Sequence, residues 1–114
     1  MSSLIELRLP FPPSTNNLFI NRGRKRVLSP EYRSWREQAG WELKAQRPKP
    51  ITVRANVNID IDDTRNGDCD NRTKCLLDLL VEHGVLAGDS KRYVKRVSIG
   101  WETLTGCRVT LEAA

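Results

Sequence analysis

The chain has 114 residues, 39% hydrophobic and 29% charged, which suits one ordinary globular domain, residues 1–114, with a single core. A net charge of +5 and a pI near 9.4 point to a polyanionic partner and say nothing of the fold. Three cysteines without a CxxC pair and a single histidine argue against a disulfide framework and against zinc, so any metal would be a hard cation held by oxygen.

The opening MSSLIELRLP has neither the cationic start nor the long apolar run of a signal peptide. No stretch approaches the roughly 20 apolar residues of a membrane span. The expectation is a cytoplasmic protein with reduced thiols and no membrane partner. Ile5, Leu7 and Leu9 alternate with Glu6 and Arg8, predicting a half-buried first strand. PFPPSTNN, residues 10–17, reads as an ordered loop, because three prolines and turn-forming Ser and Asn oppose a helix. NRGRKRV then sets Arg22, Arg24, Lys25 and Arg26 around Gly23, a basic turn at a hairpin tip. Ser29 and Pro30 read as N-cap and first residue of a helix that runs to about residue 46. Its apolar stripe is Tyr32, Trp35, Ala39 and Leu43, with Arg33, Arg36, Lys44 and Arg47 on another side. Trp41 lies off that stripe and hints at an interface.

After the breaker PKP, Val53, Ala55, Val57, Ile59 and Ile61 point one way, and Thr52, Arg54, Asn56, Asn58 and Asp60 the other. That predicts a strand with one covered and one polar face, in an antiparallel or mixed sheet. A second helix is expected over about 71–83, closed by Gly84. Cys75, Leu76, Leu77, Leu79, Leu80 and Val81 make it apolar on most sides, so it should be deeply buried. Strands around 93–101 and 107–111, joined by a turn at Thr105 and Gly106, complete an α+β fold: a small mixed β-sheet with two main helices.

Between the central strand and the second helix stands DIDDTRNGDCDNRTK, residues 60–74. Asp60, Asp62, Asp63, Asp68 and Asp70 crowd there with only Arg65 among them. Turn chemistry, helix capping or a metal ion must hold such mutually repelling carboxylates. Asp68 and Asp70, two apart in an extended chain, would face one side about 7 Å apart at Cα and converge on one Mg²⁺. Equally, Asp68 suits a turn and Asp70 an N-cap. Lys74 and Asp78 continue from Asp70 at helical i, i+4 spacing. The three form either a surface ion-pair row or a lysine facing what the aspartates hold, within reach of a phosphate. Asp89, in AGDSKR, is a third candidate ligand and, taken alone, a turn residue. A calcium loop starting at Asp62 fails, because Thr64 and Thr73 fall where acids belong and the preceding element is a strand.

The order PxPPSxN, NRGR, a strand leading to DxDNxxK, then HGVLAGDSKR resembles the RusA family of Holliday-junction resolvases, from about residue 9 to 99. Its most specific part is GDCDNRTKCLLDLLVEHGVLAGDSKRY. The resemblance implies a RusA-like fold and a structure-selective endodeoxyribonuclease that resolves four-way junction DNA by paired symmetric nicks in recombination and repair. It also implies dependence on Mg²⁺, with Mn²⁺ as a substitute. By the same resemblance, Asp68, Asp70 and Asp89 match the metal-binding catalytic aspartates. Lys74 matches an essential lysine, and Asn71 the asparagine beside the acids, in contact with DNA. Gly88 departs from the pattern, standing where the family often has a second acid. Arg22, Arg24, Lys25 and Arg26 are the expected phosphate contacts. Two symmetric nicks from one acidic site per chain call for a homodimer. A helix of 13 residues spans about 20 Å, and residues 84–89 must return that distance at about 3.3 Å each. Either that connection is nearly extended, or Asp89 serves a site nearer the partner subunit. The rival readings are a nuclease for other branched DNA and a non-catalytic DNA-binding module whose acids only cap and turn.

Overall fold

The structure, a computed structural model, describes residues 4–114. Strand β1 (Leu4–Leu9) leads through the proline-rich loop to a hairpin of β2 (Phe19–Arg22) and β3 (Lys25–Leu28). Helix α1 (Pro30–Gln46), strand β4 (Ala55–Asp62), helix α2 (Thr73–Glu82), and strands β5 (Val94–Glu102) and β6 (Cys107–Ala113) follow. Within the loop, Thr15–Asn17 forms one 3-10 turn.

The hairpin closes where glycine permits it, with Gly23 at φ +62° and Arg22 opposite Lys25. Ser29 then ties its base to α1. The hydroxyl donates to the Asn17 carbonyl at 2.6 Å and accepts from the Tyr32 amide at 3.1 Å, with Pro30 next in line. That is the predicted cap. Tyr32, Trp35, Ala39 and Leu43 are all buried, as their spacing predicts.

The main sheet has the order β1-β6-β4-β5. β4 pairs antiparallel with β6 and parallel with β5, so α2 serves as the crossover of a β-α-β unit. The sheet is mixed, as expected. Consecutive β5 and β6 are not neighbours, because β4 lies between them. Their connection passes over the end of β4, where the Asp62 amide donates to the Gly106 carbonyl (3.1 Å) and the Asp63 amide to the Glu102 carbonyl (3.0 Å). Gly106, at φ +77°, has room for no side chain, since a Cβ would come within 2.7 Å of the Leu9 carbonyl oxygen.

Leu7, Leu9, Val57, Ile59, Ile61, Val109 and Leu111 join the two helices in one core. Two expectations need correction. Val53 lies outside β4 and is 56% exposed, so the alternating pattern extends past the paired strand. α2 is buried through Cys75, Leu76, Leu79 and Leu80, while Leu77 and Val81 are half-buried. A short helix covering one face of a sheet keeps an outer side. Among the described residues no helix is long and apolar enough to cross a membrane.

Candidate active site

Within the acidic stretch Asp60 and Asp62 are engaged by the fold, while Asp63, in the turn just after β4, is exposed with only its amide bonded among the described residues. Asp60 accepts from Arg108 Nε at 2.9 Å, the two residues facing each other across paired strands. That hydrogen bond pushes the Arg108 pKa further up. Asp62, buried at the end of β4, accepts from the Thr64 hydroxyl at 2.7 Å and the Thr64 amide at 2.9 Å. These bonds, the hydroxyl first, hold its carboxyl below the usual range. Asp68 and Asp70 differ. Both are exposed, and neither carboxylate has a hydrogen-bond or ion-pair partner among the described residues.

Between them Cys69 is half-buried and packs on the core. Its backbone is helical (φ −74°, ψ −35°) and opens a 3-10 turn, Asp70–Arg72. The two acids are therefore joined by a turn and not by the extended chain expected. Neither that turn nor α2 has a side-chain cap, so Asp70 is not held there by capping. The Asp-Lys-Asp row is half formed: Lys74 Nζ lies 3.5 Å from Asp78, and its Asp70 rung is absent among the described residues. Lys74 is exposed, and Asn71 half-buried.

Around this loop stand residues that spacing alone did not reveal. Arg72 donates to the Pro12 carbonyl at 2.7 Å and the Asn66 carbonyl at 3.2 Å. Thr15 Oγ1 donates to the Asn71 carbonyl at 2.6 Å. The guanidinium carbons of Arg65 and Arg72 lie 4.6 and 4.7 Å from the centre of the Phe11 ring. All but the bond to Asn66 join segments more than 50 residues apart. The only local signal was two arginines bracketing the acids.

Asp89 stands apart. It lies between Leu86, which bridges to Ile51, and Tyr93, whose carbonyl accepts from the Ala55 amide. That is the Ala55 end of β4, whereas the acidic loop leaves from the Asp62 end of this eight-residue strand, about 25 Å long. Asp89 is exposed, and its carboxylate too has no partner among the described residues. A Cβ at Gly88 would meet the Tyr93 ring at 2.8 Å, so a side chain there requires that half-exposed ring to shift. Among the described residues no three Asp, Glu, His or Cys side chains stand together as a ready metal site. Asp68 and Asp70 do offer what a hard divalent cation takes, unengaged carboxylate oxygens open to solvent. Cys75 and Cys107 offer nothing comparable, because burial pushes both thiols up to about 12 and keeps them neutral.

Arg22, Arg24, Lys25 and Arg26 all lie exposed on the hairpin. Arg26 also rests over the Phe19 ring at 4.4 Å.

A sequence profile described as Endodeoxyribonuclease RusA matches residues 10–112, from the proline loop to the last strand. The chain belongs to the RusA family. It is also similar to the crossover junction endodeoxyribonuclease rusA of Enterobacteria phage HK97, 33% identical over 86 residues that cover 73% of this chain and 72% of the phage protein. The RusA match spans the proline-rich loop, the basic hairpin, the acidic loop and Asp89 together, so no part of the candidate site falls outside the family region.

Proposed function

We propose that this protein is a Holliday-junction-resolving endodeoxyribonuclease of one domain, 1–114, acting as a homodimer in the cytoplasm on four-way junction DNA. Its divalent cation is Mg²⁺, replaceable by Mn²⁺, held by Asp68 and Asp70 of one protomer and by Asp89 of its partner. The observation that carries this reading is the pair of unengaged carboxylates at one end of β4 with the third candidate ligand at the other end. A two-fold axis brings opposite ends of two chains together. It also matches two nicks to the symmetry of the junction. Exposed Trp41, 70% accessible, and half-buried Leu77 and Val81 are apolar surface available to such an interface. Three free thiols suit a reducing compartment.

When bound, the cation supplies an activated water and stabilises charge on the phosphoryl and leaving oxygens. Lys74, in the first turn of α2, adds a positive charge towards the phosphate. Asn71 offers an amide to the DNA beside it. Arg22, Arg24, Lys25 and Arg26 hold the backbone of an arm through phosphate contacts.

Complementation tests the shared site. Asp70→Asn and Asp89→Asn are each expected to be inactive on a synthetic mobile junction with Mg²⁺. In a re-equilibrated mixture, half the dimers pair one chain of each kind and rebuild one intact site. Nicking should then return to roughly a quarter of the wild-type rate. No recovery, with mixed dimers shown by mass, would put Asp89 in its own chain's site.

A further inference from the structure

We propose that Phe11 and Arg72, assisted by Arg65 and Thr15, form a strap that fixes the acidic loop in its cation-binding conformation, which makes them positioning residues of the nuclease. The proposal rests on the reading of Asp68 and Asp70 as cation ligands. Arg65 precedes the two acids and Arg72 follows them, and both guanidiniums rest on the single ring of Phe11, at 4.6 and 4.7 Å. Both ends of the acidic segment are thus moored to one point of the proline-rich loop. Arg72 also donates across the loop to the Asn66 carbonyl and onto the strap at the Pro12 carbonyl. Thr15 adds a second tie, at the Asn71 carbonyl. The strap itself is stiff, because Pro12 and Pro13 are buried and their φ is fixed.

Gly67 shows how closely the loop is built around Arg72. Its φ is +114°, and a Cβ there would stand 2.6 Å from Arg72 Nη2. Arg72 Nε is buried and has no partner among the described residues, so the guanidinium is held through its two terminal nitrogens and the Phe11 ring. Two carboxylates held near each other without metal repel, and an untied loop relaxes by spreading them. Tying both ends keeps the oxygens where a cation will use them. A lysine cannot replace Arg72, since it lacks the planar fork that serves two carbonyls and a ring at once.

The test uses full-length Arg72→Lys and Thr15→Val, with circular dichroism to confirm the fold. Three readouts apply: Mg²⁺ titration of junction cleavage, calorimetric Mn²⁺ affinity, and junction binding in EDTA. In Arg72→Lys the half-saturating Mg²⁺ should rise about tenfold, the scale seen when groups that orient metal ligands are removed. Mn²⁺ affinity should fall by a similar factor, and saturating metal should restore cleavage close to the wild-type rate. Thr15→Val should shift the same way by less, and EDTA binding should not move. Unchanged metal affinity in both folded variants, or a rate loss that metal does not relieve, overturns the strap. Asp70→Asn serves as the control. If it binds Mn²⁺ as wild type does, the ligand reading falls and the strap with it. If it loses Mn²⁺ while Arg72→Lys keeps it, the strap alone falls.

Discussion

Asp60 and Asp62, at the end of β4, are engaged by Arg108 and Thr64, whereas Asp68 and Asp70, a few residues on, are held by no side chain of the described fold. Ion pairs and turn hydrogen bonds explain why the first two can sit in a cationic protein. They give no account of the second two. Crowding of acids in a sequence therefore has two physical meanings here, and only the folded structure separates them. An acid whose neighbours satisfy it belongs to the fold. An acid left open is free to take a ligand, and the spacing of Asp68 and Asp70 in the family motif, which exposed Asp63 lacks, singles those two out.

Exchanging charge for amide in each half breaks the comparison most sharply. Asp70→Asn keeps the shape and removes a charge from the cation site, so junction cleavage should collapse by about a thousandfold or more while junction binding persists or improves. Asp60→Asn should leave cleavage near wild type and lower Tm only slightly, the partly exposed Arg108 pair being screened by solvent. Cleavage assays and thermal melts on both proteins check this. A rate loss in Asp60→Asn equal to that in Asp70→Asn would erase the distinction.

Lys74 sharpens it next. Its partner is Asp78, and no contact to Asp70 is present among the described residues. If the lysine acts on the phosphate, Lys74→Ala lowers cleavage about a hundredfold with a shift of at most a few tenths of a kcal/mol from the lost helical pair. If it is a rung of a surface row, the melt moves and the rate does not.

Much of this was legible beforehand, for reasons that were local. The N-cap at Ser29, the stripe of α1, the hairpin glycine and the alternation of β1 and β4 each follow from residues a few positions apart, and each appears in the structure. The residue-by-residue resemblance carried the family, which the comparisons bear out. What could not be read was long-range. Nothing in the sequence announces that β4 inserts between β5 and β6, or that Arg72 reaches Pro12. The reach from α2 back to Asp89 raised the question of which subunit it serves. The structure sharpens it by setting Asp89 with the opposite end of β4.

The cations divide as the acids do. Arg36 and Arg108 are paired with Glu82 and Asp60, while the four hairpin cations have no acidic partner within reach among the described residues. Each phosphate contact contributes about 0.9 to the slope of log affinity against log salt. Neutralising Arg22, Arg24, Lys25 and Arg26 to Gln should flatten that slope for junction binding by roughly two to four units. Neutralising Arg36 should change it little. An unchanged slope in the hairpin variant would make it a solvated tip.

The smallest effect tests the engaged half on its own terms. Asp62 has its carboxyl held below the ordinary value, chiefly by the Thr64 hydroxyl and then the Thr64 amide. A group whose pKa is lower folded than unfolded stabilises the fold when ionised. That contribution is full above the unfolded value of about 3.9 and is lost as the pH falls through the lower folded value. Thr64→Val removes the leading donor and keeps the amide, so it should lower Tm slightly at pH 7. The gap from wild type should narrow as the pH drops below about 4 and close once both proteins are protonated. Thermal melts from pH 7 to pH 2, read beside cleavage at neutral pH, check both halves of the claim. Asp62 belongs to the fold if stability carries the pH signature and cleavage at saturating Mg²⁺ is unmoved. A gap that widens in acid would mean the hydroxyl favours the protonated carboxyl, which would overturn this account of Asp62.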